Sequence, residues 1–305
     1  MPAGVAAYSL WGVFPLVFHR LQSVSALEIL LHRVVWSFAL VVILLGLRRR
    51  RGWLRPALGD RAVLTKAVAA SLLVALNWLV YIWAVNSGQV IEAALGYYIN
   101  PLLTVGLGVV VLHERLRRLQ VAALLLGALA VALLTAAYGR PPWIALVLAV
   151  SFAGYGFLKK SVGLAAVESL ALETTVLLPF AATGLLVLQI RGTAALGHGS
   201  VGRDALLVSL GVVTAVPLLL FGTAAGRIPL SLLGLLQYLT PTLQLACGVL
   251  LLGEALSGAR LVGFFVVWGA LTVLGVDALR SARQWRQPAI ETAAAAGALP
   301  LPEPA

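Results

Sequence analysis

Residues 95–116, LGYYINPLLTVGLGVVVLHERL, recur 140 residues later as residues 235–256, LLQYLTPTLQLACGVLLLGEAL. Nine of the 22 aligned pairs are identical. Leucine matches are expected by chance in so apolar a chain, whereas matched Tyr, Pro, Gly and Glu are not. Those matches are Tyr98/Tyr238, Pro101/Pro241, Gly108/Gly248 and Glu114/Glu254. The chain is therefore predicted to consist of two similar halves.

The composition indicates that most of the chain lies in lipid. Of the 305 residues, 61% are hydrophobic and only 11% are charged, whereas soluble domains carry about 25% charged residues. Because a charge at the centre of a bilayer costs roughly 2.5 to 3.5 kcal/mol, long runs without charge mark candidate spans. Most of these runs are close to the ~20 residues that cross a bilayer as a helix. The ten runs are 1–18, 34–47, 67–91, 93–112, 119–139, 141–158, 174–190, 205–226, 228–253 and 261–276.

The ten runs are predicted to be helices. A spanning segment must satisfy its own backbone groups, so only a helix or a closed barrel is suitable. Barrel strands alternate apolar and polar residues, and stretches such as LLLGALAVALL (124–134) do not. The first run is not read as a signal peptide, because Trp11, Phe14 and Pro15 stand where small residues would be expected. The predicted fold class is an all-α polytopic membrane protein with ten transmembrane helices.

The distribution of Lys and Arg predicts the orientation. Sixteen of the 22 fall in one set of alternating loops and six in the other. Positively charged loops stay in the cytoplasm, so both termini are predicted to be cytoplasmic. The net charge of +11 is then explained by topology and anionic lipid, and no nucleic-acid partner is predicted. Since five helices per half is an odd number, the second half is predicted to be inverted relative to the first.

The repeat divides the chain into three predicted parts. These are a first five-helix repeat at 1–139, a second at 140–279, and a cytoplasmic tail at 280–305. The tail is rich in Ala and Pro from Gln287 onward and ends in LPLPEPA. Such a composition cannot bury a core, so the tail is predicted to be disordered.

The sequence offers little support for catalysis. Cys247 is the single cysteine, so an internal disulfide and a cysteine-based metal cage are excluded, and no metal or cofactor is predicted. The chain has no HExxH or GxSxG motif and no phosphate-binding glycine loop. An intramembrane enzyme would depend on Glu28 and His32 alone. The chain is therefore predicted not to be an enzyme.

Prolines and polar side chains fall near the middle of spans three, four, eight and nine. In repeat pairs they are Asn77 with Pro217 and Asn100-Pro101 with Thr240-Pro241. Proline frees a carbonyl one turn back and kinks the helix, and lipid tolerates such a group only where protein or water satisfies it. Pro101, Pro217 and Pro241 are therefore predicted to be hinges around a central cavity.

Amide and aromatic side chains are predicted to line this cavity, because they offer hydrogen bonds without a full charge. They are Asn77, Asn100, Gln237, Gln244, Trp11, Trp78, Tyr81, Tyr97, Tyr98 and Tyr238. The alternative is that these side chains only bridge neighbouring helices. A cavity of this kind favours a neutral or zwitterionic solute of moderate size.

Three ionisable residues, Glu28, His32 and Arg33, lie near the outer end of span two. Glu28 and His32 are four residues apart and share one helix face. One interpretation is a proton relay, since histidine titrates near neutral pH. The other, which we favour, is a mutually neutralising cluster that anchors the helix. Lys159 and Lys160, at the end of span six, are interpreted as a cytoplasmic anchor.

Seven segments, spanning residues 7 to 243 in order, resemble the EamA family of the drug/metabolite transporter superfamily. They are AYSLWGVFP (7–15), EILLHRVVWSF (28–38), NWLVYIWAVN (77–86), EAALGYYINPLL (92–103), SFAGYGFLKK (151–160), ETTVLLP (173–179) and VTAVPLLLFGTAAGRIPLSLLGLLQYLTPTL (213–243). The resemblance implies ten helices in two inverted repeats, in a bacterial inner-membrane permease that exports metabolites or drugs. Its branch of the family is commonly labelled chloramphenicol-sensitive. The cavity it implies is lined by Trp11, Asn77, Trp78, Tyr97, Asn100, Tyr155, Gln237 and Tyr238.

The predicted function is secondary transport by alternating access, in which a small solute binds between the two halves and one half rocks against the other. Export of amino acids or related metabolites is an alternative within transport. A membrane sensor or scaffold subunit without transport is the alternative from another class. The predicted partners are the solute and the lipid bilayer, a homodimer is left open, and the predicted location is the bacterial inner membrane.

Overall fold

The computed structural model describes residues 2–47, 59–112, 116–162, 164–225 and 236–295, and every regular element in this part of the chain is a helix. The predicted all-α fold class is therefore confirmed. The helices are α1 (Pro2–Gly12), α2 (Phe14–His19), α3 (Ala26–Leu47), α4 (Arg61–Asn86), α5 (Val90–Leu112), α6 (Arg118–Tyr138), α7 (Trp143–Val162), α8 (Ala166–Ile190), α9 (Val201–Ala225), α10 (Leu239–Ala246), a π-helix (Cys247–Leu251) and α11 (Gly258–Ala295).

Among the described residues, six helical segments are long and apolar enough to cross a bilayer. They are Ala26–Leu47, Arg61–Asn86, Arg118–Tyr138, Val167–Ile190, Val201–Phe221 and Gly258–Asp277, and two shorter apolar helices are Trp143–Lys159 and Leu239–Leu251. Large apolar side chains cover their outer faces: Leu125 is 66% exposed, Phe180 72% and Ile190 77%. Such a surface suits lipid rather than water, so the chain is a multi-pass membrane protein.

The first predicted span is broken into two helices at Val13. Pro15 lies in the first turn of α2 and has no N–H, so the carbonyl of Trp11 receives no bond one turn further along the chain. The Nε2 of Gln244 on α10 donates to that carbonyl at 3.2 Å. A side chain from the other half thus satisfies the group that the proline frees.

The first half of the chain (helices up to Tyr138) packs mainly against the second half (helices from Trp143 onward). α3 packs on α8 and α9, α1 on α9 and α10, α5 on α7 and α10, α4 on α7, and α6 on α11. Glycine allows the closest approaches. A Cβ built at Gly96 on α5 would lie 2.8 Å from the carbonyl oxygen of Ala145 on α7, and one built at Gly211 on α9 would lie 2.5 Å from the carbonyl oxygen of Trp36 on α3. At these points backbone meets backbone, as is common between membrane helices.

A carboxylate from one half caps a helix of the other. The Oε1 and Oε2 of Glu254 accept from the backbone N–H groups of Val90 at 2.6 Å and Ile91 at 2.9 Å. These groups open α5, where no carbonyl of the same helix can reach them. Glu114, the repeat partner of Glu254, lies outside the described residues.

The last helix extends past residue 280, where the predicted tail begins. α11 continues as helix through Ala295, so residues 280–295 are helical, and 296–305 lie outside the described residues. The Ala-rich composition that suggested low complexity also has a high helix propensity. The predicted boundary between the halves falls at Gly139, which ends α6 with a φ of 66°.

We expect Gly96→Ala to destabilise the protein, because the added methyl group would overlap the Ala145 carbonyl and push α5 away from α7. Overpacking of this kind costs about 1 to 3 kcal/mol. The measurement is Tm in detergent. Gly106→Ala is the matched control on the same helix, since a Cβ there meets no atom within 4 Å. Equal Tm values for the two variants would argue against the close contact.

Candidate functional site

A cavity of about 220 Å³ lies between helices of the two halves. Its walls come from α1 to α5, α7, α9 and α10. Six of the eight residues predicted to contact substrate line it, namely Trp11, Asn77, Trp78, Tyr97, Tyr155 and Gln237. Tyr81 and Gln244, which the sequence also suggested, lie in the same walls.

Asn100 and Tyr238 do not line this cavity. Asn100 is 4% exposed, and its Oδ1 has no hydrogen-bond partner among the described residues. Tyr238 lies instead in a second cavity of about 460 Å³, together with Tyr98. Consecutive residues of a helix point about 100° apart, so Tyr97 and Tyr98 face different cavities.

The three predicted hinge prolines occupy different surroundings. Pro101 lies inside α5 and is half-buried, and Pro217 lies inside α9 and is buried. Pro241 borders the central cavity. α10 begins at Leu239, so Pro241 sits in a first helical turn, where a missing N–H costs little.

Aromatic rings in contact with one another form much of the wall. The ring-centroid distances are 5.7 Å for Tyr81–Tyr97, 5.8 Å for Tyr97–Phe152, 6.0 Å for Phe152–Tyr155, 5.5 Å for Tyr8–Trp11, 6.0 Å for Tyr8–Phe221 and 5.8 Å for Trp11–Phe221. Tyr8, Phe152 and Phe221 were not among the residues predicted from the sequence. Tyr8 and Phe152 lie three residues before Trp11 and Tyr155, a spacing that places them on the same helix faces.

Asn77 bridges three helices at the cavity wall. Its Nδ2 on α4 donates to the carbonyl oxygen of Leu148 and to the Oγ of Ser151 on α7, both at 3.0 Å. The hydroxyl of Tyr97 on α5 donates to its Oδ1 at 3.1 Å. Asn77 therefore satisfies both interpretations at once, since it joins helices and also borders the cavity.

The predicted cluster of Glu28, His32 and Arg33 is divided between two locations. The Oε1 of Glu28 accepts from the backbone N–H of Ala195 at 2.5 Å and lies 3.8 Å from the Nε2 of His32. Arg33 is one of the residues that line the cavity. Its Nε donates to the Oγ1 of Thr214 on α9 at 2.9 Å.

The polar contacts of His32 in the described part of the chain lie on its own helix, with Glu28 and Trp36, which is compatible with the anchoring interpretation. The indole N–H of Trp36 donates to the Nδ1 of His32 at 3.3 Å. An indole N–H can only donate, so this Nδ1 must be unprotonated, and the neutral ring carries its proton on Nε2, which faces Glu28. If Nδ1 were protonated, its N–H would point at the indole N–H of Trp36 and this hydrogen bond would be lost.

Lys159 belongs to a buried network rather than to a simple cytoplasmic anchor. It lines the cavity, and its Nζ donates to the Oε1 of Glu173 at 3.1 Å and to the hydroxyl of Tyr155. The Tyr155 hydroxyl donates to the Oε2 of Glu173 at 3.1 Å, and the Oγ of Ser169 donates to the Oε1 at 2.7 Å. In the sequence, Tyr155 and Lys159 are four residues apart, as are Ser169 and Glu173. This spacing indicates that each pair shares one helix face.

Comparison with known proteins agrees with this architecture. The model of the EamA-like transporter family matches residues 2–136. Protein RarD from Streptomyces exfoliatus is 47% identical over 302 residues, which cover 99% of this chain and 96% of that protein. An uncharacterized transporter from Pseudomonas aeruginosa is 43% identical over 285 residues, covering 93% of this chain and 96% of that protein.

One solved crystal structure has a TM-score of 0.57 to this chain at 23% identity, and the match covers 90% of this chain and 96% of that one. At that identity the likeness concerns the fold alone. The identity to RarD over nearly the full length of both chains is far higher. The chain belongs to the EamA-like transporter family, within its RarD group.

Proposed function

We propose that the chain is a secondary transporter that moves small organic solutes across the bacterial inner membrane by alternating access. The observation that carries the proposal is the central cavity, whose walls come from both halves of the chain. A site between two halves opens to one side or the other when the halves rock. The chain has no nucleotide-binding motif, so an ion or solute gradient supplies the energy.

The helix positions support ten spans in two inverted repeats. α3 and α8 begin at residues 26 and 166, α4 and α9 at 61 and 201, and α6 and α11 at 118 and 258, each 140 residues apart. Packing follows the same offset, because α1 on α9 corresponds to α7 on α4, and α1 on α10 corresponds to α7 on α5. With both termini cytoplasmic, each half crosses the membrane in the direction opposite to the other.

The transport proposal is tested with purified protein in liposomes, a panel of labelled solutes, and imposed proton or solute gradients. We expect uptake of at least one solute by the wild type. We expect Asn77→Ala to lower that uptake by about tenfold, because the change removes three hydrogen bonds at the cavity wall, two of them buried.

Ser71→Ala is the matched control. Ser71 is a buried residue of α4 whose hydroxyl, among the described residues, bonds only to the Ala67 carbonyl of its own helix, and it does not line the cavity. Its uptake should equal that of the wild type. Folded protein that moves no solute under any gradient would overturn the proposal and favour a sensor or scaffold subunit.

The proposed orientation is tested with topology reporters. Because positively charged loops stay inside, green fluorescent protein fused after the last residue should fluoresce, and alkaline phosphatase inserted at Gly197 should be active. Gly197 lies in the turn between α8 and α9 and has a φ of 81°. Active phosphatase at the C-terminus would contradict cytoplasmic termini.

A further inference from the structure

The described side chains around the central cavity carry an excess positive charge. Two cations line it, Arg33 and Lys159. Lys159 is neutralised by Glu173, whose Oε1 lies 3.1 Å from its Nζ. Arg33 makes no ion pair within the described part of the chain, and its hydrogen-bond partner Thr214 is neutral. The described side chains around the cavity therefore leave one positive charge without a counter-charge.

The carboxylate nearest to Arg33 in the chain is occupied elsewhere. Glu28 accepts from the backbone of Ala195 and faces His32. Glu92 is likewise paired with Arg140 at 2.8 Å. Neither carboxylate is within ion-pair distance of Arg33.

The guanidinium of Arg33 is held in a geometry suited to a carboxylate. Its Cζ lies 4.0 Å from the centroid of the Trp78 ring, and its Nε is fixed by Thr214 on α9. The two terminal nitrogens donate no hydrogen bond to a described residue. A guanidinium held by stacking and by one N–H keeps its remaining donors for a bidentate contact with an anion.

An unpaired arginine within a membrane protein is costly and marks a functional site by default. Rings of Tyr81, Tyr97 and Phe152 lie in the same walls and offer contact to an apolar body. The cavity volume of about 220 Å³ is below the roughly 300 to 1,000 Å³ of sites for drug-sized ligands. The site in this conformation therefore suits a molecule with a single ring.

We propose that the cavity binds small organic mono-anions, with the carboxylate on Arg33 and an aromatic or apolar body against the tyrosine and phenylalanine rings. This inference rests on the transport function proposed above and specifies the substrate class of that site. It differs from the neutral or zwitterionic solute expected from the sequence. A zwitterion would bring a second positive charge into a cavity that already holds one in excess.

The test compares three probes of similar size and different charge: 3-phenylpropionate, 3-phenylpropanamide and phenylalanine. Dissociation constants are measured by thermal shift on the purified protein in detergent at neutral pH, so permeation of the acid through lipid does not interfere. We expect the wild type to bind the acid at least about tenfold more tightly than the other two, since charge-assisted hydrogen bonds are the stronger kind.

Arg33→Gln should reduce the preference for acid over amide to less than about twofold, because the substitution removes the charged hydrogen-bond donor. Arg260→Gln is the matched control, because Arg260 also stacks on an aromatic ring, with its Cζ 4.2 Å from the Tyr138 centroid, but does not line the cavity. It should keep the wild-type preference. Arg33→Lys, which keeps the charge without the planar fork, should keep a weaker preference.

If Arg33 has only a structural role, Arg33→Gln will have a lower Tm than the wild type but the same ratio of acid to amide affinity. That result would overturn the inference. If Arg33→Gln does not fold, the wild type alone decides, because equal affinities for acid and amide, or no binding of any probe, also overturn it. The liposome assay judges the transport function separately. Uptake of neutral solutes only would leave transport standing and refute the anion site.

Discussion

Lipid provides no hydrogen bonds to backbone groups that a helix leaves unpaired, and this constraint organises the contact between the two halves. Pro15 frees the carbonyl of Trp11, and Gln244 supplies the missing donor. Thr240 adds a second bond from α10 to α1, through the carbonyl of Tyr8 at 2.9 Å. Apolar burial distinguishes poorly between lipid and a neighbouring helix. Polar contacts of this kind therefore fix which faces of α1 and α10 meet, and so position the cavity beside them.

The same constraint applies more strongly to charges, because an uncompensated buried charge costs more than an unpaired carbonyl. Glu173 is compensated in this way, because its carboxylate accepts hydrogen bonds from Lys159, Tyr155 and Ser169. Glu254 receives two backbone donors at the start of α5. Arg33 departs from this pattern, since it has stacking and one neutral acceptor. Because Arg33 lies in the cavity wall, its missing counter-charge is explained by a role in binding the solute.

The sequence predicts the helices well and the neighbours of each residue less well. The long uncharged runs and the repeat at an offset of 140 can be read directly from the sequence. The helices and most of the cavity residues could therefore be anticipated. Tyr238 and Gln237 are neighbours in the sequence but border different cavities, because consecutive residues project in different directions, which a match of short segments does not show. Lys159 was interpreted as an anchor because it lies at the end of a predicted span, and its partner Glu173 lies on the next helix.

The proposed repeat relates the charged residues of the cavity to each other. At the offset of 140, Arg33 corresponds to Glu173, and Lys159 corresponds to His19. Arg33 and Glu173 thus carry opposite charges at equivalent positions. Among the described residues, Glu173 has a cation beside it, whereas Arg33 has no carboxylate partner. If Glu173 were free and faced Arg33 directly, the pair would neutralise itself and the cavity would need no charged solute. Because Lys159 holds Glu173, the charge of Arg33 remains, and an anion bound there would complete the electrostatic balance of the membrane interior.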